Sequence, residues 1–209
     1  MLALVLAALG LAGELPAPLP PAPGDAAWQA VSTVDNVTLR RAHIAGRAAP
    51  WGCGEGEIAA PIERVIAHLT NFEGLPRWVP RLVEVRVLER RADEAIVYFR
   101  FDLPWPLSDR DWTVRYRWRR EGERFVMIWS DANDRGPPPG RALRVAPLRG
   151  CWELWPTGRG TTGGRYVFLS ELGGHLPRSV VEQTAWKQPL QTFRGVRAAT
   201  AAAVPLRPQ

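Results

Sequence analysis

The sequence predicts an α+β fold in which a curved antiparallel sheet wraps around one long C-terminal helix. Residues 83–172 contain seven successive segments of strand length, separated by turns rich in Gly, Pro and Asp. Short connections between consecutive strands favour antiparallel neighbours. Residues 177–203 repeat apolar positions at helical spacing and form the one long helix available to cover the sheet. A sheet that grips a single helix encloses a space between the two.

Length and composition are those of a globular protein. The 209 residues suit one domain with extensions, and a chain of this size buries a core without metals or disulfides. Hydrophobic residues make up 46% and charged residues 23%. No apolar run reaches the roughly 18 residues of a spanning helix, which excludes a multispan membrane protein. The net charge is +6, but no basic run matches a nucleic-acid motif, so we expect no nucleic-acid partner.

The two ends of the chain differ in composition from the middle. Residues 1–13 are apolar and predict a signal peptide, although no basic residue precedes the apolar run; the alternative is a frayed helix. We therefore expect an exported protein, periplasmic or secreted, and otherwise a cytoplasmic one. Residues 14–24 carry five prolines and predict a linker. The folded domain is expected at residues 25–203, followed by a frayed tail at 204–209.

Each element of the domain has a local signal. Asp25 is a capping residue and predicts a short helix over residues 25–33. Pro61 and Glu63 suit the first turn of a second helix that ends near Asn71. Strands are expected at residues 36–44, 51–59, 83–90, 94–101, 111–119, 125–130, 141–145, 150–155 and 165–172. Pro189 lies inside the C-terminal helix and is expected to kink it.

The strand at residues 111–119 alternates between two kinds of side chain. Trp112, Val114, Tyr116 and Trp118 share one face, and one threonine and three arginines share the other. Such alternation directs the aromatic rings inward and the guanidinium groups to water. The inward rings either line a cavity for an apolar guest or fill an ordinary core, and the residues alone leave both interpretations open.

Three groups of motifs, in this order along the chain, resemble START domains, the lipid-transfer domains related to the steroidogenic acute regulatory protein. They are residues 60–65 with 75–80, residues 103–112 (LPWPLSDRDW), and residues 150–154 (GCWEL) with 173–177 (GGHLP). The resemblance covers residues 28–197. It implies a helix-grip fold within the wider Bet v 1-like and polyketide cyclase superfamily, with an internal lipid cavity closed by the C-terminal helix. Sterol-binding members can carry a buried arginine where this chain has Tyr116, a departure that weakens the case for a sterol.

We therefore expect a monomer that binds a hydrophobic ligand, most simply a lipid, without a cofactor or metal. The candidate ligand-binding residues are Phe99, Trp105, Trp112, Val114, Tyr116, Trp118, Val181 and Ala185. The loop at residues 103–109 is expected to pack Trp105 on the C-terminal helix as part of a lid.

The C-terminal helix also has an unbalanced charge. Residues 178–209 carry five bases against one acid, a net charge of +4. This excess predicts transient contact with an anionic membrane surface, because basic groups are attracted to anionic lipids. The alternative is a solvated helix face.

Catalytic signals are sparse. The sequence has three histidines and no motif typical of a nucleophile elbow, a zinc site or an acidic metal cluster. Residues 158–163 match G-x-G-x-x-G, but a strand pattern follows them, so we interpret them as a hairpin turn. The alternative to a carrier is an enzyme of the related aromatase/cyclase type acting on a polyketide-like substrate. Such an enzyme would need polar donors, for which Tyr98, Arg100 and Tyr116 are candidates if they point inward.

Two cysteines, Cys53 and Cys151, complete the inventory of reactive side chains. They either form one disulfide, which export would permit, or serve as two small buried apolar residues. Their spacing along the chain does not decide between these interpretations.

Overall fold

The computed structural model describes residues 19–105, 107–158, 160–171, 173–174 and 178–202. The predicted signal peptide, the first part of the predicted linker and the predicted tail lie outside the described residues. Within them, neither α-helix is long and apolar enough to cross a membrane.

The described elements form one large sheet and two α-helices. In chain order they are β1 (Gln29–Val34), β2 (Val37–Ala42), β3 (Trp51–Ile58), α1 (Ile62–Thr70), a 3₁₀ segment (Phe72–Arg77), β4 (Leu82–Arg90), β5 (Glu94–Phe101), β6 (Arg110–Glu121), β7 (Arg124–Asp131), a 3₁₀ turn (Asn133–Arg135), β8 (Leu143–Arg144), β9 (Leu148–Gly158), β10 (Thr161–Ser170) and α2 (Arg178–Ala201). The sheet curves around α2, which packs on β2, β3 and β10. The helix-grip fold predicted from the sequence is confirmed.

The sheet is antiparallel along its length, with the strand order β1-β2-β3-β10-β9-β7-β6-β5-β4. The predicted meander holds from β4 to β7, where consecutive strands are neighbours. The strand expected at residues 141–145 shrinks to the two residues of β8, which pair in parallel with the start of β6. The turn between β9 and β10 contains Gly158 and Gly160, both with positive φ, so the G-x-G-x-x-G match is a hairpin as interpreted.

The helix predicted over residues 25–33 is wrong, because β1 occupies Gln29–Val34. Asp35 and Asn36, with φ of 51° and 55°, form a tight turn that pairs β1 with β2. Two consecutive residues with positive φ give the turn a twist that matches two antiparallel strands. Asp25 does act as a cap, but of a turn, since its carboxylate accepts a 2.8 Å hydrogen bond from the backbone N–H of Ala27.

Close packing of α2 on β3 depends on glycines in the strand. A Cβ atom on Gly52 would lie 1.7 Å from the carbonyl oxygen of Ala185, and one on Gly54 would lie 2.9 Å from Cβ of Pro189. Pro189 lacks the N–H that would bond this same Ala185 carbonyl in a regular helix. The helix therefore turns its freed carbonyl toward a strand position that has no side chain.

Two hydrophobic clusters lie on opposite faces of the sheet. The concave cluster includes Phe125, Leu154 and Phe193, and it joins the sheet to both helices. The convex cluster includes Trp28, Trp51 and Val167, and it is covered by the N-terminal segment and the loop after β2. We call these two sides the concave face and the convex face.

Both cysteines belong to the convex cluster and are free thiols. Cys53 of β3 and Cys151 of β9 pair with Val167 of β10 from opposite sides. Two strand spacings therefore separate their Cα atoms by roughly 10 Å, beyond the reach of a disulfide. Burial raises the pKa of each thiol. The interpretation as two buried apolar residues describes them correctly.

Candidate functional site

A cavity of about 200 Å³ lies between the concave face, the C-terminal end of α1, the segment at residues 72–80 and α2. Its lining is mostly aromatic and aliphatic: Leu69, Phe72, Leu75, Trp78, Val79, Pro80, Leu82, Phe99, Phe101, Trp112, Tyr116, Met127, Trp129, Leu148, Trp152, Tyr166, Phe168, Gln188, Gln191 and Thr192. Among the described residues, this lining contains no carboxylate, base, histidine or thiol. Across the described residues, no group of acidic, histidine or cysteine side chains is arranged to hold a metal ion.

A continuous series of ring contacts crosses the concave face. The ring centroid of Tyr116 lies 4.7 Å from that of Phe72 and 6.0 Å from that of Trp129. Trp129 continues to Tyr166 at 5.4 Å, and Tyr166 to Trp152 at 5.0 Å. Contacts of this kind hold large rings in fixed orientations. The cavity is therefore a gap within a rigid aromatic layer.

Polar groups line one side of the cavity, around two tyrosines and the middle of α2. The side chains of Gln188 and Thr192 lie beside Tyr166, where they act to lower its pKa against the larger effect of burial. Burial raises the pKa of both Tyr166 and Tyr116, so both phenols stay protonated at neutral pH. Among the described residues, the hydroxyl of Tyr116 has no hydrogen-bond partner. The cavity can thus offer donors to an oxygen of a guest, but its described lining residues include no general base.

The predicted ligand-binding residues fall into three groups. Phe99, Trp112 and Tyr116 line the cavity. Val114 and Trp118 share the concave face with them but are part of the surrounding packing. The two residues of α2 lie elsewhere: Ala185 is buried against Gly52 of β3, and Val181 packs against the convex cluster.

Trp105 does not pack on α2, and this prediction is wrong: its side chain is 92% exposed. A turn closed by the hydrogen bond from Leu107 N–H to the Pro104 carbonyl, 3.0 Å long, places Trp105 at its tip. The loop is anchored by Arg110 instead, which is buried and donates to the carbonyls of Ser108 and Gly173 at 2.5 and 3.3 Å.

Of the three donors considered for an enzyme, only Tyr116 faces the cavity. Tyr98 lies on the convex face and donates to the carboxylate of Asp111 at 3.2 Å. Asp111 is buried and also holds Arg144 through two hydrogen bonds of 2.7 and 2.9 Å. Arg100 binds carboxylates at the surface. These groups fasten the start of β6 and are not available to a guest.

The polar residues contributed by α2 are the part of the site that the sequence analysis did not assign. Gln188 and Thr192 occupy the stripe of α2 that faces the sheet, where a polar residue is unexpected. That departure from an apolar stripe was the available signal. The hydroxyl of Thr192 donates to the Gln188 carbonyl at 2.9 Å, which satisfies it within the helix.

The entrance to the cavity lies between α2 and the segment at residues 72–80. Pro80 and Gln191 line the cavity and are also exposed, so they mark its outer rim. Nearby, a Cβ atom on Gly195 would lie 2.4 Å from the ring of Trp78. The absence of a side chain at Gly195 lets this ring lie against the helix and close one end of the rim.

Two of the basic residues on α2 have structural partners. Arg194 forms an ion pair of 2.7 Å with Asp35. Arg197 donates to the Glu57 carbonyl at 2.9 and 2.6 Å and to the Asp35 carbonyl at 2.5 Å. Both residues tie α2 to the β1–β2 turn and to β3. Lys187 is exposed on the same helix and donates to Gln183 at 2.7 Å.

The chain matches one family and one curated protein. The model of a family described as "Polyketide cyclase / dehydrase and lipid transport" matches residues 58–186. The chain is 26% identical over 173 residues to the uncharacterized protein PA1579 of Pseudomonas aeruginosa, which covers 82% of this chain and 86% of that protein.

Solved structures share the fold. The STAR-related lipid transfer protein from Xanthomonas axonopodis has a TM-score of 0.77 at 20% identity, covering 84% of this chain and 99% of that one. Human STARD10 has a TM-score of 0.76 at 17% identity, over 85% and 74% of the two chains. The Zhui aromatase/cyclase from Streptomyces sp. R1128 has a TM-score of 0.55 at 15% identity, over 72% and 93%. These likenesses confirm the resemblance to START domains at the level of the fold.

Proposed function

The chain belongs to the polyketide cyclase/dehydrase and lipid transport family, and from this premise we propose that it binds a lipid in the concave cavity and carries or transfers it. The observation that carries the proposal is the lining, which is mostly aromatic and aliphatic and, among the described residues, lacks charged side chains. Burial of apolar surface stabilises a bound chain by about 0.8 kcal/mol per CH₂ group. A mostly apolar cavity of this kind needs no catalytic group to retain its guest.

The size of the cavity restricts the guest. Its volume of about 200 Å³ exceeds the roughly 150 Å³ of an engineered apolar cavity that holds benzene, but is below the ~300–1,000 Å³ of most ligand pockets. The closed form therefore suits one ring system or one short acyl chain. A lipid with two chains would require the rim between Pro80 and Gln191 to widen. We propose a single-chain or ring-containing guest whose oxygen accepts from Tyr116.

Transfer would take place at a membrane surface. The exposed Trp105 and the half-exposed Leu107 stand on one loop, and tryptophan favours the interface between lipid and water. Two of the basic residues predicted to contact a membrane, Arg194 and Arg197, instead bind Asp35 in the β1–β2 turn. Lys187 is exposed on α2 and donates to Gln183, with no acidic partner among the described residues, so it is available to contact a membrane. Export from the cytoplasm is part of the same proposal.

The first experiment identifies the guest. The purified full chain is incubated with a total lipid extract, reisolated and examined by mass spectrometry. We expect one lipid class to be retained with about one molecule per chain. If the protein is recovered empty after incubation with this extract and with defined single-chain lipids, the proposal fails.

A matched pair of variants locates the guest. Gln191→Trp places a large ring on the rim, whereas Ala198→Trp places the same ring about two turns later, on an exposed position of α2 outside the lining. We expect the first to reduce lipid uptake at least tenfold and the second to leave it unchanged. Equal effects of both variants would show that uptake does not pass between α2 and Pro80.

A second candidate function is cyclase-type catalysis in the same cavity. The observation that favours it is the pair of protonated tyrosines, Tyr116 and Tyr166, which both line the cavity. Hydrogen bonds to ketone oxygens would orient such a chain. Turnover of a poly-ketone analogue that Tyr116→Phe abolishes, with lipid binding retained, would support the enzyme over the carrier.

A further inference from the structure

A second cavity, of about 690 Å³, lies on the convex face of the sheet. Its floor consists of Glu55, Arg165 and Glu153, which lie side by side across β3, β10 and β9 in direct register. Arg165 precedes Tyr166, which faces the concave cavity, so the sheet separates the two spaces. The other lining residues are Pro23, Gly24, Asp25, Ala26, Trp28, Arg40, Arg124 and Trp155.

Two charged side chains in this floor are buried without the partners that such groups normally have. Arg165 is 5% exposed and Glu153 is 7% exposed. Among the described residues, neither takes part in an ion pair within 4 Å, although they face each other across neighbouring strands. Nε of Arg165 and Oε1 of Glu153 have no hydrogen-bond partner. Buried polar atoms in native proteins nearly always have partners, so these two atoms point to a ligand.

The charges around the convex cavity are balanced. Three guanidinium groups face three carboxylates: Arg40, Arg124 and Arg165 against Asp25, Glu55 and Glu153. Arg40 and Glu55 approach each other only to 3.6 Å. A guest with one sign of charge would be repelled by one half of this set, whereas a guest with both signs finds a partner for each end.

Two indole rings add flat apolar surface to the cavity. Trp155 lies over Gly163, where a Cβ atom would come within 2.3 Å of its Nε1. Trp28 is held by hydrogen bonds of 3.2 and 3.1 Å from its Nε1–H to the carbonyls of Pro21 and Ala22. Indole faces attract both aromatic rings and cationic groups.

We propose that the convex cavity binds a small aromatic zwitterion of the amino-acid type. Its carboxylate accepts from the guanidinium group of Arg165, its ammonium group donates to the carboxylate of Glu153, and its ring lies against the indoles of Trp28 and Trp155. This site is independent of the guest in the concave cavity, because the sheet lies between them.

The test compares three probes that share a phenylethyl group: L-phenylalanine carries both charges, 3-phenylpropionate only the carboxylate, and phenethylammonium only the cation. Calorimetry on the full chain should show phenylalanine binding at least about tenfold more tightly than either single-charge probe. Arg165→Gln should weaken phenylalanine binding by about 10- to 100-fold. Arg119→Gln, which removes an arginine paired with Glu121 at the surface, is the matched control and should change nothing.

The single-charge probes separate a binding role from a structural one. Arg165→Gln should weaken 3-phenylpropionate and leave phenethylammonium equal or tighter, and Glu153→Gln should do the reverse. A purely structural role would shift all three probes in one direction, and that result would overturn the proposal. So would three equal affinities, or no binding of any probe to the wild-type chain.

A second measurement on the wild-type chain covers the case in which Arg165→Gln does not fold. In nuclear magnetic resonance spectra, the Arg165 Nε–H and Trp155 Nε1–H signals should shift on titration with phenylalanine. Titration that moves neither signal would contradict the assignment. Binding of a hydrophobic dye in the concave cavity should be unaffected by the amino acid; competition between the two would also contradict it.

Discussion

The two faces of the sheet are made by the same strands, yet their side chains differ in chemistry. On the concave face, consecutive inward residues are aromatic rings whose contacts leave one apolar gap. On the convex face, the alternate residues include charged side chains, many of them joined in pairs such as Arg100 with Glu84 at 3.0 Å and Arg117 with Glu94 at 2.9 Å. The concave face thus provides an apolar cavity, and the convex face provides charged groups.

The difference shows where each kind of guest can be held. Successive side chains of a strand point to opposite faces of the sheet. One strand can therefore present aromatic residues on the concave face and charged residues on the convex face. The aromatic layer of the concave face favours apolar molecules. Outside the cluster around Trp28 and Val167, much of the convex face is charged, and its cavity lies at the border of that cluster.

The largest expected effect comes from removing a ring of the concave layer. Trp129 is 4% exposed and contacts both Tyr116 and Tyr166, so Trp129→Ala should destabilise the fold by about 3–5 kcal/mol. Trp155→Ala, on the half-exposed convex side, should cost about 1 kcal/mol or less. Chemical denaturation of both variants measures the comparison. Equal losses would mean that the convex indole is as structural as the concave one.

A smaller effect is expected where α2 meets β3. Gly52→Ala adds a methyl group that would lie 1.7 Å from the Ala185 carbonyl oxygen, so helix and strand must separate. We expect a loss of about 1–3 kcal/mol and a weaker retention of apolar guests, because α2 forms one wall of the cavity. Gly140→Ala is the control, since no atom lies within 4 Å of its added Cβ. An unchanged melting temperature for Gly52→Ala would contradict this account of the helix packing.

The role of a buried carboxylate on the convex face can be tested by measuring how stability depends on pH. Burial raises the pKa of Glu153, and the nearby Glu55 adds to this, while Arg165 and Arg124 oppose it. The folded chain therefore holds this proton more tightly than the unfolded chain, and the stability it contributes is lost as pH rises through the folded pKa. Glu153→Gln stays neutral, so its stability should match the wild type near pH 4 and exceed it near pH 8.

Glu94 provides the matched opposite case. A hydrogen bond from Arg117 lowers the pKa of Glu94, so its contribution is present above the unfolded pKa and is lost as pH falls. Glu94→Gln should therefore be less stable than the wild type at neutral pH and approach it in acid. Unfolding curves across this pH range that show the same slope for both variants would contradict the assignment of the two carboxylates.

The comparison also shows which parts of the molecule could be predicted from sequence. Alternation in β6 correctly placed Trp112 and Tyr116 on one face, because a strand's period is local and independent of its neighbours. The strand β1 was missed because its apolar residues happen to recur at helical spacing, which predicted a helix. Its strand conformation depends on pairing with β2 across the turn at Asp35. Likewise, only the register of β10 shows that Cys53 and Cys151 are two strands apart.

The cavity lining was predicted less completely than the faces. Gln188 and Thr192 stood in the correct helical stripe, but their contact with Tyr166 depends on how α2 crosses the sheet. That crossing is determined by strand positions without side chains, Gly52 and Gly54, which meet Ala185 and Pro189. Such an arrangement joins residues far apart in the chain, and no local pattern of spacing reports it.

The smallest effect on stability is expected for substitution of Trp105. This ring belongs to neither face of the sheet, so it provides a reference for the effects expected on the two faces. A side chain that is 92% exposed contributes almost no buried area, so Trp105→Ala should change the free energy of unfolding by less than about 0.5 kcal/mol. If the loop contacts lipid, the same change should weaken vesicle binding several-fold, and Trp105→Phe should restore part of it. The control is Leu88→Ala, an exposed apolar residue toward the end of β4 that lies farther from this loop, which should leave vesicle binding intact. If Trp105→Ala does not change vesicle binding, the loop does not contact the membrane. If the same variant loses much of its stability, Trp105 packs against the protein, as the sequence predicted for a lid.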